Sequence, residues 1–291
     1  MGEHAPERAG DAVLAAIAHL AARIRELEPA ARSDAPDAVH QLRTHVRRLR
    51  SVLAAYRPLF DGARVDDLRR TYARYGEELG RVRDLEVRAR YAEEALKGLP
   101  DAPAAMRVRL VDDVRAEYSE AHARLAELMT GPGADARARM LDAFCADPRF
   151  TARADLAAVP MVGALLADEA HRAMLRAMRA DSSPERLHRA RKAARRLRYA
   201  AEAVSEPPTE VLGERARQLA AAGEAIHDLL GDHRDALIFA EHARRVGGAH
   251  ARTHADLAAG AEAVAAGHLR RYPAAVRRLR GATGAFVAGV D

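Results

Sequence analysis

Residues 40–50 read HQLRTHVRRLR. The stretch is built from helix formers and contains no acidic residue. It sets His40, Arg43, Arg47 and Arg50 one turn apart, and like charges at that spacing destabilise a helix by about 0.2–0.5 kcal/mol per pair. The repulsion needs an answer from outside the stretch: carboxylates on neighbouring helices, or an anionic ligand. Winding residues 39–56 at the helical period puts Val39, Leu42, Val46, Leu49, Leu53 and Tyr56 on one face. His40, Arg43, Arg47 and Arg50 fall on the flank beside it, within about 80° of arc, and Arg48 lies on the far side.

The stretch recurs. HRARKAARRLR occupies 188–198, an offset of 148 residues from 40 to 188. His188, Arg191, Arg195 and Arg198 repeat the basic flank, beside an apolar face of Leu187, Ala190, Ala194, Leu197 and Val204; Arg196 takes the outlying place of Arg48. Lys192 stands where the first copy has Thr44, and His45 is matched by Ala193. A second pair follows in the same order. LGRVRDLEV at 79–87 matches LGDHRDALI at 230–238, which aligns Gly80 with Gly231, Arg83 with Arg234 and Asp84 with Asp235 at an offset of 151. Two motif pairs at nearly one offset indicate duplication of one helical unit.

Around these motifs the chain shows helical period and no sustained strand-type alternation. Breakers predict helices over about 10–28 (ending near Pro29), from Asp37 to near Pro58, from Asp61-Gly62 to Gly98, and over 103–129 and 135–146. In the second half they fall over 162–180, 184–205 (capped by Ser182-Ser183-Pro184), 209–246 and 249–280. Long helices joined by short loops pack as antiparallel bundles. The expected fold is all-α, with residues 1–150 forming one bundle and 151–291 the other, divided near Pro148 and Pro160. The lone Cys145 excludes a disulfide framework and fits a reducing compartment. Neither a signal peptide nor a membrane-length apolar run is visible, so a soluble cytoplasmic protein is expected. Net charge is only +5 and aromatics are 4% of the residues, so the placement of charge decides the partner.

Two stripes, each roughly 15 Å long, that faced each other across a groove would suit a linear polyanion. Arginine's guanidinium fork takes phosphate oxygens in pairs, and a phosphate would favour the charged form of each histidine. Acidic residues at 66–67, 77–78, 93–94 and 112–113 are available for the alternative, internal ion pairing. Repetition of the histidine at the same place in both copies argues against it.

These motifs resemble the CHAD domain, the conserved histidine α-helical domain, over nearly the whole chain. The resemblance implies two four-helix bundles with pseudo-two-fold symmetry and a basic central groove or pore. It also implies non-catalytic binding of inorganic polyphosphate, without cofactor or metal, and association with polyphosphate granules. By position it assigns polyphosphate to His40, Arg43, Arg47, Arg50, His188, Arg191, Lys192, Arg195 and Arg198; Arg48, Arg196, Arg83 and Arg234 are weaker candidates. A triphosphate tunnel domain, sometimes fused to the family, is not expected in a stretch filled by the two repeats. Asp84 and Asp235 are expected to orient motif arginines, and Gly80 and Gly231 to allow close helix packing. Arg69, Arg74 and Arg176 are further basic residues that spacing alone does not place. Nucleic acid offers a similar backbone, but the motif helices carry only Tyr56 and Tyr199 as stacking candidates. A metal-dependent phosphoryl-transfer enzyme would need carboxylates, for which only Asp84 and Asp235 are positioned.

Overall fold

The computed structural model describes residues 8–99, 102–181 and 183–289. Ser182, read as part of a helix cap, and residues 1–7 lie outside them. Among the described residues the chain is helical, with two isolated bridges and no strand. The helices are α1 (Ala9–Arg32), α2 (Ala38–Ala55), α3 (Gly62–Lys97), α4 (Ala104–Arg107), α5 (Asp113–Thr130), α6 (Pro132–Ala146), α7 (Ala158–Met178), α8 (Pro184–Ser205), α9 (Glu214–Arg245) and α10 (Ala251–Val287). A π-helical turn, Val108–Asp112, joins α4 to α5.

Several local signals act where they were read. The Asp61 side chain accepts a hydrogen bond from Ala63 N at 2.9 Å and opens α3. Ser183 accepts from Arg186 N and opens α8, with Pro184 in its first turn, where the N–H groups lack helical partners anyway. Others are overridden. Pro29 sits inside α1, which runs one more turn and buries Ala31 completely. Pro160 lies in the first turn of α7 and does not separate the repeats; the connection is 147–157, with a short 3-10 turn at Ala152–Asp155. Helix α9 starts at Glu214 and not at 209, since 206–213 bends back to give Leu212 N a bond to Val204 O at 2.8 Å. Helix α10 passes through Gly281 and Gly284 because Thr283 and Phe286 are buried beyond them.

Packing follows the chain order twice. α1 packs on α2, α2 on α3, α3 on α5, and α5 returns to α1; likewise α7, α8, α9 and α10 close a second ring. The rings join through matching helices, α2 against α8 and α3 against α9. One apolar core runs through both, so the two halves share an interior. A smaller core near the far ends of α3 and α9 gathers Leu96, Met106, Leu110, Phe239 and Ala258. Among the described residues no helix is long and apolar enough to cross a membrane.

Candidate functional site

The apolar faces of α2 and α8 fix where the stripes lie. Leu42, Val46, Leu49 and Leu53 are fully buried, as are Ala190, Leu197 and Val204. Tyr56 pins the halves together: its buried hydroxyl donates to Ala200 O at 2.9 Å. With these faces held in the core, the flanks of α2 and α8 are turned toward α3 and α9. Between the four helices is a cavity of about 220 Å³, lined among others by His40, Arg43, Arg47, Arg83, Asp84, Arg191, His227 and Arg234.

Cations outnumber their partners here. Asp84 carries two guanidinium groups, one from each repeat: Arg43 at 3.4 Å and Arg234 at 3.6 Å. Among the described residues Arg191 donates only to the backbone oxygen of His227, at 3.3 Å, and Arg47 only to Thr44 Oγ1, at 3.4 Å. Among the described residues Arg47, Arg50, Arg191 and Arg195 have no carboxylate within ion-pair distance, whereas most other arginines do. The buried Nε atoms of Arg43, Arg47 and Arg195 and Nδ1 of His40 have no hydrogen-bond partner. Orphaned buried donors are uncommon and costly, about 1–3 kcal/mol each.

The electrostatics carry the same imbalance. Burial first, then the positive charges of Arg47 and Arg191, push the Arg195 guanidinium down to about 9. Burial and Arg47 lower Arg43 to about 10, against the pull of Asp84. Arg50 and Arg191 are lowered as well, in each case chiefly by burial. Burial and mutual repulsion thus act on a row of guanidinium groups in and beside the cavity, a poorly solvated place for positive charge. His40 is held below its ordinary value by burial first and then by Arg83.

The CHAD domain family matches residues 15–244. The chain belongs to the CHAD domain family. It is 30% identical over 252 residues to the uncharacterized proteins Rv2226 and MT2285 of Mycobacterium tuberculosis strains, covering 81% of this chain and 46% of each relative. The chain thus spans about half the length of the curated relatives it matches. Among solved structures it superposes on PptA from Streptomyces chartreusis with a TM-score of 0.71 at 20% identity, covering 94% of this chain and 99% of that one. The CHAD domain from the plant Ricinus communis superposes with a TM-score of 0.70 at 22% identity, covering 98% and 94%. At these identities the likeness is one of fold.

Within this CHAD domain the stripe residues do not all meet. Arg198, expected at the groove, is held by three carboxylates: Glu202 at 2.6 Å, Glu224 at 2.8 Å and Asp228 at 3.9 Å. Arg48 pairs with Glu202 at 3.0 Å and lies over the Tyr199 ring; Arg196 bonds the buried Glu169. These three are structural ion pairs. His188 and Lys192 are exposed and outside the cavity; Arg50 and Arg195 are partly buried and do not line it either, Arg195 standing beside Arg47 and Arg191, which do. Arg83 lines the cavity but is engaged by Glu86 at 2.7 Å. Asp235 forms no ion pair or side-chain hydrogen bond among the described residues, and burial raises its pKa; only Asp84 orients a motif arginine. With Asp84 shared by two guanidinium groups, the carboxylates weighed as a metal pair are differently committed, and no group of three potential metal ligands occurs among the described residues.

Gly80 and Gly231 make room for side chains more than for helices. A Cβ on Gly80 would sit 3.3 Å from Arg43 Nη2, and one on Gly231 3.0 Å from Arg191 Nη2. Close helix packing is the work of Gly223, whose Cβ would lie 2.8 Å from Ala194 O. Arg69 pairs with Asp66 at 3.3 Å, and Arg74 and Arg176 are exposed.

The sequence reading missed His227, Arg88, Arg90, Tyr91 and Phe239, all of which line the cavity. A signal existed. Extending the helical period along α3 from Asp84 reaches 87, 88 and 91, and along α9 from Gly231 reaches 227, 234, 235 and 238. A larger cavity of about 720 Å³ lies beyond Tyr91 and Phe239, but it is mostly apolar, with Arg90 as its one cation. The basic cavity is the smaller of the two and the one with anion-binding chemistry.

Proposed function

We propose that this CHAD domain binds inorganic polyphosphate, without processing it, in the cavity between α2, α3, α8 and α9, and that binding directs the protein to polyphosphate granules. The observation that carries the reading is the row Arg43–Arg47–Arg191–Arg195: four guanidinium groups from both repeats, sharing one bound carboxylate and holding orphaned Nε donors. A phosphate chain supplies both what the row lacks in charge and what it lacks in acceptors. A nucleic-acid backbone could answer the charge as well, but single-strand binders add free aromatic faces. Here Tyr56 is spent on Ala200, Tyr199 is buried under Arg48 and Arg198, and Tyr91 stacks on Phe239.

The test is competition binding of polyphosphate against single-stranded RNA of equal charge, at several salt concentrations, for the wild type and a His40/Arg47/His188/Arg195 quadruple alanine variant. Polyphosphate should win at every salt concentration and lose affinity for the variant. Preference for RNA would overturn the reading. Incubation with Mg²⁺ or Mn²⁺ should leave polyphosphate length unchanged; shortening that depends on Asp84 or Asp235 would replace a binding module with an enzyme.

A further inference from the structure

The duplication is broken at the inner end of the cavity. At the offset of 151 residues that aligns Gly80 with Gly231, Arg88 corresponds to Phe239 and Tyr91 to His242. On one side Tyr91 and Phe239 stack with ring centroids 4.8 Å apart, an apolar wall. On the other, the matching places hold Arg88 and His242. His242 is only 5% exposed. Its Nδ1 accepts from Arg245 Nη2 at 3.2 Å, which puts the ring's own hydrogen on Nε2. That Nε2 is buried with no partner. Arg88 Nε is buried with no partner too, and Arg88 is the strongest charge acting on His242. Its Nη1 only approaches Glu117, at 3.9 Å. Arg88 also lines the basic cavity, so this cluster is continuous with it.

Neighbouring donors without an acceptor call for an anionic oxygen. We propose that Arg88, His242 and Arg245 form a further phosphate subsite, and that a polyphosphate chain reaching beyond the central row extends toward them. The subsite rests on the polyphosphate reading of the central row and gives it a direction. A chain long enough to reach beyond the row gains contacts here; a short one does not.

The experiment compares tripolyphosphate with long-chain polyphosphate on the wild type, His242→Gln, Arg245→Gln and the control Thr253→Val in the larger apolar cavity, with melting temperatures taken for each. His242→Gln and Arg245→Gln should weaken long-chain binding about tenfold, the size of one lost charged hydrogen bond, and leave tripolyphosphate within about twofold, since neither residue lines the basic cavity. Thr253→Val should change neither. Equal weakening of both ligands by the first two variants, or of neither, would overturn the subsite, and a long-chain loss in Thr253→Val as large as theirs would place the chain past Tyr91 and Phe239 instead. If the wild type bound neither ligand, the central reading itself would fall; long-chain binding unaffected by His242→Gln and Arg245→Gln would remove only the subsite.

Discussion

The stripes on α2 and α8 carry the same residues at the same spacing, yet their last arginines live in opposite surroundings. Arg50 has no carboxylate within ion-pair distance among the described residues, while Arg198 has three. The reason lies off the stripe. Glu202 and Glu224, which hold Arg198, correspond to Ala54 and Ala73 in the first repeat at the offsets of 148 and 151. Two alanines in place of two glutamates leave Arg50 only the pull of Glu77, the counterpart of Asp228, from beyond ion-pair distance. Duplication copied the arginine and not its electrostatic setting. The stripes remain alike at their centres, where Arg47 and Arg195 press on each other, and part company at their ends.

The largest effect is expected where the halves agree. Arg47→Ala with Arg195→Ala removes two buried charged donors, each worth about 1.5–3 kcal/mol to a phosphate, and should cost at least about a hundredfold in polyphosphate affinity by calorimetric titration. A loss below tenfold would break the claim that the shared centre dominates. The same arginines burden the fold itself. Arg195→Met should therefore raise unliganded stability, by about 1–4 kcal/mol in denaturant titration. The sign with pH is fixed: Arg195 in the folded protein loses its proton near 9, while the unfolded chain holds it to a far higher pH. Above pH 9 the unfolded state therefore binds more protons, and the wild type regains stability relative to Arg195→Met by up to about 1.4 kcal/mol per pH unit. A stability gap that stays constant between pH 8 and 10 would mean that Arg195 is not buried as a bare charge.

Next comes the contrast between the ends. Arg50→Ala should lower polyphosphate affinity about tenfold and leave the melting temperature unchanged or higher. Arg198→Ala should do the reverse: little change in affinity, and about 1–2 kcal/mol of lost stability, since Glu202, Glu224 and Asp228 lose their common cation at a half-buried place. The comparison sharpens if the setting is moved across. Ala54→Glu with Ala73→Glu should quiet Arg50 and reproduce much of the Arg50→Ala loss. Equal behaviour of Arg50→Ala and Arg198→Ala in both assays would erase the distinction between the stripes.

These contrasts mark how far the sequence could be read. Helical period and breakers placed α2, α3 and α8 within a few residues, because their ends are set by local chemistry at Asp61, Ser183 and Pro184. They misplaced the ends of α1, α9 and α10, where burial of Ala31, the turn at 206–213 and burial of Phe286 decide. The centre of the site was legible because it repeats: Arg43, Arg47 and Arg191 line one cavity, and Arg195 adjoins them. Its limits were not, because whether an arginine is free depends on the helix across from it. No spacing within HRARKAARRLR announces that Glu224 and Asp228 of α9 will reach Arg198. His227 and Arg88 were hidden for a different reason: neither belongs to a repeated motif, although both fall on the faces that the motifs define.

The histidines give a smaller, pH-dependent contrast. His40 lines the cavity; burial and the charges of Arg83 and Arg47 lower its pKa, against the weaker pull of Asp37 and Glu86. A bound phosphate chain adds negative charge beside the ring and raises that pKa, so binding takes up a proton. The added affinity is complete below the free-state pKa and is lost as pH rises through the bound-state value. Polyphosphate should thus bind the wild type about threefold to tenfold more tightly at pH 5.5 than at 7.5, an excess that His40→Gln reduces. His188, exposed and outside the cavity, should contribute less, and His188→Gln should keep most of the excess. An equal loss in the two variants would put both rings on the ligand.

The smallest effect separates the paired glycines. In a helix interior, Gly→Ala ordinarily gains up to about 1 kcal/mol. At Gly231 the new methyl would meet Arg191 Nη2 at 3.0 Å, and at Gly80 it would meet Arg43 Nη2 at the looser 3.3 Å. Both contacts are with the far end of a flexible side chain, so the fold can keep the propensity gain while the guanidinium moves. Gly231→Ala should therefore be slightly more stable than the wild type and bind polyphosphate about twofold to threefold less well, with Gly80→Ala shifted less because Asp84 retains Arg43. Destabilisation of either variant by more than about 1 kcal/mol would mean that the glycine serves helix packing, as Gly223 does, and not the placement of an arginine.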